Sequence, residues 1–202
     1  MRQVPDYIQK IWRTPIWRIN PDEKSVYLTF DDGPNPKVTP LVLDILDKFG
    51  VKATFFCVGE NVKKYPEVFR EVKRRGHTVG NHTFNHLKGY KSSTQDYVKN
   101  VWKADEYVHS NLFRPPHGRI KLSQIRTLKK DFKIVMWDFI TYDFDSKVTP
   151  DAILREVKKR TRNGSIVIFH DSLKAEKNML AALPKALEFW KEEGYEICSL
   201  VE

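Results

Sequence analysis

Two adjacent carboxylates, Asp31 and Asp32, follow the apolar run Val26-Tyr27-Leu28-Thr29-Phe30 and precede Gly33-Pro34. Two imidazoles, His82 and His86, stand four residues apart, so one helical turn would put both rings on one side of the chain. Two histidines and one carboxylate make a three-ligand metal site with positions left open for water and substrate. That donor set suits zinc and also accepts cobalt, nickel or manganese. With two acids side by side, one can bind the ion while the other stays free as a base.

Other ionisable groups fall at comparable places. Arg114-Pro115-Pro116-His117-Gly118 follows Leu112-Phe113, Asp138 and Asp143 follow the run 134–137, and His170-Asp171 follows Ser165-Ile166-Val167-Ile168-Phe169. Taken singly, each has a plain explanation: an Asp-Asp-Gly-Pro turn, a pair of surface histidines, a structural histidine ending a strand. Five strands delivering ionisable groups to one rim is another matter, because crowded charges raise the cost of folding unless they bind something. His77 and His109 have no such placement and read as structural or exposed, and Asp171 reads as a cap on the loop after it.

The elements that must position these residues alternate along the chain. Strands are expected at 26–30, 53–58, 78–79, 112–113, 134–137, 165–169 and 195–200. Between them lie amphipathic helices: one begins at Thr39-Pro40 and ends at Gly50, another carries Val62, Val68, Phe69 and Val72 and closes at Gly76. Others carry Tyr97, Val98, Val101, Trp102 and Val108, then Leu122, Ile125 and Leu128, then Ile153, Leu154 and Val157, and finally Leu180 to Trp190. Seven strands separated by helices imply an α/β fold of parallel strands joined by right-handed crossovers, either an open doubly wound sheet or a closed barrel. Both architectures gather function just past the carboxyl ends of the strands. Residues 1–24 precede the first strand and carry Trp12, Ile16, Trp17 and Ile19, which reads as a segment packed on the domain 25–202.

With 202 residues the chain is sized for one domain, and 41% hydrophobic and 30% charged residues are those of a globular protein. No apolar run approaches a membrane span, and Met1 to Asp6 contain no apolar leader, so a cytoplasmic location is the default expectation and an extracytoplasmic one applies if a leader precedes this chain. The net charge of +9 favours polyanions, but the basic residues are spread over helix faces such as Lys73-Arg74-Arg75, and no nucleic-acid motif is present. A solvated surface explains the charge, and nucleic acid is not an expected partner. Cys57 and Cys198 lack metal-ligand spacing and read as two thiols in apolar strands. A monomer is the default.

The quoted residues resemble the polysaccharide deacetylase family, the carbohydrate esterases of family four that share the NodB-type homology domain. Thr29-Phe30-Asp31-Asp32-Gly33-Pro34 and His82-Thr83-Phe84-Asn85-His86 match its first two motifs. Arg114-Pro115-Pro116-His117-Gly118 is similar to the third, in which tyrosine usually stands at position 117. Trp137-Asp138 through Asp143-Phe144 resembles the fourth, which commonly has tryptophan at position 144, and Ile166 to His170 resembles the fifth. The resemblance spans about residues 25–200 and implies a distorted (β/α)7-type barrel. It also implies roles: Asp31 as general base, Asp32, His82 and His86 as ligands of a divalent metal, Arg114 as the group orienting Asp31, Asp143 as a charge-balancing partner, and His170 as general acid. The backbone N–H of His117 would join the metal in holding the oxyanion, with Pro116 and Phe144 beside the substrate. The implied reaction removes acetyl groups from an N-acetylglucosamine-type polysaccharide or oligosaccharide. An O-acetyl esterase acting on xylan would use the same groups, a non-catalytic sugar-binding relative would have lost Asp31 or His170, and a nucleic-acid binder would show steep salt dependence.

Overall fold

Every residue of β1 (Ser25–Asp31) is buried, and so is every residue of β7 (Ser165–His170), which is what a parallel strand covered on both faces requires. The computed structural model describes residues 3–201. Met1, Arg2 and Glu202, the outer ends of the two expected segments, lie outside the described residues. In chain order the remaining elements are α1 (Asp6–Ile11), α2 (Thr39–Phe49), β2 (Thr54–Cys57), α3 (Gly59–Lys64), α4 (Pro66–Arg74), β3 (Thr78–Asn81) and α5 (Thr94–Val108). There follow β4 (Leu112–Phe113), α6 (Leu122–Leu128), β5 (Lys133–Ile134), β6 (Phe139–Ile140), α7 (Pro150–Arg160), α8 (Glu176–Glu192) and β8 (Glu196–Cys198).

The strands pair in parallel in the order β5-β4-β3-β2-β1-β7-β6, with β8 alongside the first half of β1. The seven expected strands correspond to β1–β5, β7 and β8, and β6 is an eighth that the sequence did not suggest; seven of the eight form a curled, open path and β8 lies off it. Alternation along β1 sends Val26, Leu28 and Phe30 to a core shared with α2 and α8. It leaves Tyr27, Thr29 and Asp31 on the other face, where Tyr27 packs with Phe56, Leu112, Val135 and Ile166. Asp31 therefore stands on the inner face at the mouth of the curl.

Three sequence expectations change. The helix expected through Val62 and Val72 is two helices, because Pro66 has no N–H to continue α3 and instead begins α4. The strand expected at 134–137 is only β5, and the chain then crosses from one edge of the sheet to the other, where β6 pairs with β7. Asp138 lies on that crossing, not on the functional rim. Its N–H donates to Ile166 O at the start of β7, and its carboxylate accepts from Arg162 and Ser165 Oγ. Residues before β1 run through the same gap: Ile16 exchanges hydrogen bonds with Ile134 and Met136 on one side, and Val4 N–H donates to Asp138 O on the other. Trp17 is buried there.

Candidate metal and acid–base site

The carboxyl ends of the inner strands open into a cleft of about 840 Å³. Asp31, Asp32, His82, His86, His117, Phe144 and His170 all line it. Arg114 and Asp143 are fully buried behind this wall and act on it through Asp31 and His170. Pro116 is buried in the turn that carries His117 and stays out of the cleft wall.

Among the described residues, Asp32, His82 and His86 form a group whose ligand atoms all lie within 4.8 Å of one another. Asp32 Oδ1 is 3.1 Å from His86 Nε2 and 3.7 Å from His82 Nε2. The expected helical turn between the histidines is absent. Residues 82–86 form a loop in which Thr83 (φ 65°) and His86 (φ 56°) take left-handed backbone, and this folds the two rings to a centroid distance of 5.2 Å. Asp32 (φ 81°), His117 (φ 58°) and Tyr142 (φ 60°) are left-handed too, so five of the seven described non-glycine residues in that region belong to the cleft or its loops. Strain gathered in this way marks sites whose surroundings over-determine the backbone.

The donors are prepared for a cation. His82 Nδ1 faces Arg114 O at 2.8 Å, which fixes the proton on Nδ1 and leaves Nε2 as the lone-pair donor. Burial, the main influence, holds the His82 imidazole down at about 4, so it is neutral at physiological pH. Burial pushes Asp32 upward, but the hydrogen bond from His86 and the nearby His170 and His82 hold it well below the usual carboxylate range. Two imidazole nitrogens and one ionised carboxylate oxygen with open space beside them fit a divalent metal with free coordination positions.

Flanking this group are two unlike pairs. Arg114 Nη1 donates to Asp31 Oδ1 at 2.6 Å and to Thr29 Oγ1 at 2.8 Å, while Nη2 donates to Met136 O at 3.0 Å. Its guanidinium also lies 4.0 Å over the Phe56 ring. On the other side, Asp143 Oδ1 meets His170 Nδ1 at 2.7 Å and its Oδ2 accepts the His170 backbone N–H at 2.8 Å. Burial opposes the imidazolium of His170, yet Asp143, with Asp32 and Asp31, outweighs it and pushes the group up to about 9. Phe144 stands edge-on to His170 at 4.8 Å, and His117 edge-on to His86 at 4.7 Å.

Two positioning residues, Asn178 and Asn61, were not singled out in the sequence, and a third, Asp171, was given another role. Asn178 of α8 donates to the backbone O of Asp143 at 3.1 Å and of Val148 at 2.9 Å, pinning the loop that carries Asp143. Asn61 donates to Asp32 O at 2.9 Å. Asp171, expected to cap the loop after it, instead reaches back to the loop after β1: it accepts from Gly33 N at 3.0 Å and from Thr39 Oγ1 at 2.5 Å. Burial, the largest influence, pushes its carboxyl up to about 7. None of these has a sequence signature, since each bond spans a long stretch of chain. His77 is buried and accepts from Ala53 N–H, and Cys57 and Cys198 are both free thiols.

A family model described as Polysaccharide deacetylase matches residues 18–136. That span holds Asp31, Asp32, His82, His86, Arg114 and His117, and ends before Asp143 and His170. A peptidoglycan-N-acetylglucosamine deacetylase of Bacillus cereus is 33% identical over 193 residues, covering 92% of this chain and 91% of its own. A chitooligosaccharide deacetylase of Azorhizobium caulinodans is 33% identical over 76% of this chain and 77% of its own. Among solved structures, a peptidoglycan N-acetylglucosamine deacetylase superposes with a TM-score of 0.91 at 29% identity, covering 98% of this chain and 95% of that one.

Proposed function

This chain belongs to the polysaccharide deacetylase family, and from that premise we propose that it removes acetyl groups from an N-acetylglucosamine-containing polysaccharide or oligosaccharide. The observation that carries the reading is the meeting, in one cleft, of the Asp32–His82–His86 donor group with a guanidinium-held carboxylate and a carboxylate-held imidazole. Asp32, His82 and His86 would hold zinc or another divalent ion. When bound, that ion supplies Lewis-acid polarisation of the acetyl carbonyl and lowers the pKa of water.

The chain's own residues do the rest. Asp31 takes a proton from the attacking water, and Arg114 aims its carboxylate, since the contact with Nη1 occupies one oxygen and leaves the other for the water. The backbone N–H of His117, in a left-handed turn on the cleft wall, donates to the developing oxyanion. His170 donates a proton from Nε2 to the leaving amine. Its Nδ1 is committed to Asp143, which holds the ring charged at neutral pH. Phe144 gives an apolar face beside the leaving group, in place of the indole common in the family.

The test is acetate release from N-acetylglucosamine oligomers and from acetylated xylan, side by side, with metal-stripped, zinc-restored and Asp31→Asn protein. Zinc-dependent release from the glucosamine oligomers, lost in Asp31→Asn, is the expected result. Release from xylan alone would turn the reading to an O-acetyl esterase, and no release from either would sink it.

A further inference from the structure

A second hollow, of about 810 Å³, has Ile8, Ile11 and Trp12 of the N-terminal segment on one side and Tyr90, Ile120 and Leu122 on the other. Its walls hold apolar groups that folding alone would hide: Ile11 is 82% exposed, Leu122 62% and Tyr90 58%. More than half of the exposed large apolar side chains among the described residues gather in two places. Of the nine large apolar side chains strongly exposed among the described residues, three line this hollow and two, Phe144 and Leu173, line the catalytic cleft. Such concentration marks a place where something binds.

The hollow adjoins the cleft along two segments of chain. Lys88 and Arg119 line the cleft, and Tyr90 and Ile120 line the hollow. Successive Cα atoms are about 3.8 Å apart, so the chain passes from one to the other within about 8 Å. The two wall segments are locked together. Gln124 Nε2 donates to Gly89 O at 3.0 Å, its Oε1 accepts from Lys121 N–H at 2.9 Å, and a Cβ on Gly89 would stand 2.4 Å from Arg119 O. Gly89 is thus required for the close approach of the two segments.

We propose that this hollow is a distal sugar subsite, holding a further N-acetylhexosamine unit of the same glycan whose acetyl group is being removed in the cleft. The proposal deepens the deacetylase reading and rests on it. A pyranose presents an apolar face of C–H groups rimmed by hydroxyls and the acetamido group. An aromatic ring beside aliphatic side chains suits that face, and Ser123, Lys121 and the Tyr90 hydroxyl supply polar atoms at the edge. A hollow that adjoins the cleft on two segments, Lys88 to Tyr90 and Arg119 to Ile120, favours the extension of the bound chain over an apolar membrane contact.

The experiment measures kcat/KM for N-acetylglucosamine oligomers of increasing length with zinc-loaded full chain, Tyr90→Ala and Leu122→Ser. Both side chains are exposed, so the variants should keep the wild-type Tm. Wild type should gain about tenfold in kcat/KM between the shortest and longest oligomers, and the variants should lose that gain while matching wild type on the shortest. Calorimetric titration with the longest oligomer should show the same loss of affinity. An unchanged length profile in both variants overturns the subsite; if binding to phosphatidylglycerol vesicles falls in the same variants, the hollow is a membrane contact instead. No acetate release by wild type at any length would remove the deacetylase reading, and this one with it, which is distinct from release with an unaltered length profile.

Discussion

Replacing Asp143 by Asn keeps the size of the side chain and an oxygen for His170 Nδ1, but it gives up the acceptor for the His170 backbone N–H, a loss that does not vary with pH, and removes the charge that outweighs burial there. With Asp143 in place the imidazole is pushed up to about 9. Burial is the largest influence and acts downward, so without the partner's charge the group falls back toward its ordinary value of about 6.5. The difference is roughly 3 kcal/mol between protonation states. At about pH 6 most of the imidazole is charged in both proteins, whereas at about pH 8.5 the charged fraction drops from roughly three quarters to roughly one hundredth. If His170 is the acid, the defect of Asp143→Asn should grow by about 50–100-fold between those pH values, through kcat/KM measured on one glucosamine oligomer with equally zinc-loaded proteins. A cation beside Asp32 opposes the carboxylate's influence on His170 in both proteins alike, so their separation persists and the pH window over which the defect grows moves down with it. The same raised value contributes stability that is complete below about 6.5 and is lost as pH rises through about 9, so the Tm of metal-free wild type should decline over that window and that of the variant should not. A loss of activity by the same factor at both ends of the range would refute the assignment of His170 as acid.

Other outcomes follow from the same geometry. Arg114→Met leaves Asp31 buried without its partner and should lower unfolding stability by about 3–5 kcal/mol in urea titrations, part of which returns in the Arg114→Met/Asp31→Asn double variant. Gly33→Ala would set a Cβ 2.0 Å from Asp171 Oδ2, so it should cost about 1–3 kcal/mol and weaken zinc binding measured by competition with a chromophoric chelator; Asp171→Ser in the same chain should relieve part of both. Removing the metal with a chelator should abolish acetate release while leaving circular dichroism and the cooperative transition in place, because the donors sit on loops outside the hydrophobic cores. His82→Ala should prevent stoichiometric zinc uptake, read by elemental analysis.

Much of the architecture was legible because β1 and β7 are continuous apolar runs and the helices between strands keep a 3.6-residue pattern. The ends of those runs then pointed to Asp31, Asp32 and His170. The run 134–137 misled, since after Ile134 the buried Val135 makes only an isolated bridge, to Ile16, and Met136 is buried in a second core, and local hydrophobicity does not distinguish such burial from a full strand. Asp138 was misplaced for the same reason: its polar partners, Arg162 and Ser165, are distant in sequence. The spacing of His82 and His86 suggested a helical turn because a period is all that spacing conveys, while the left-handed Thr83 and His86 depend on tertiary contacts. Among these, Gly59 N–H donates to Thr83 O and Phe84 N–H donates to Asn100 Oδ1.

Register is the part that no local pattern could reveal, and it sets the distance between base and acid. Asp31 and His170 are Cα partners at the ends of β1 and β7, so their backbones stand one strand spacing apart, about 4.8 Å. A slip of one residue along either strand would turn one of these side chains to the opposite face. Six successive partners, from Val26 opposite Ser165 to Asp31 opposite His170, hold that register, and Thr29 Oγ1 donates across it to Val167 O at 2.7 Å. Two ionisable groups this close would tend to neutralise each other if each met only the other. Arg114 holds Asp31 on one side and Asp143 holds His170 on the other, so the two groups are engaged separately and stand as neighbours with separate tasks. The donor group for the metal then needs only the residue after the base, Asp32, whose left-handed backbone turns its side chain away from Asp31 and toward His82 and His86. On this account the sheet register positions the proton transfers and the loop strain positions the metal. Damage to the loop at Gly33 should therefore weaken metal binding first, while loss of Thr29 Oγ1, as in Thr29→Val, should lower kcat with zinc affinity unchanged. Equal effects of Thr29→Val on zinc affinity and kcat would show that the two devices are not separable.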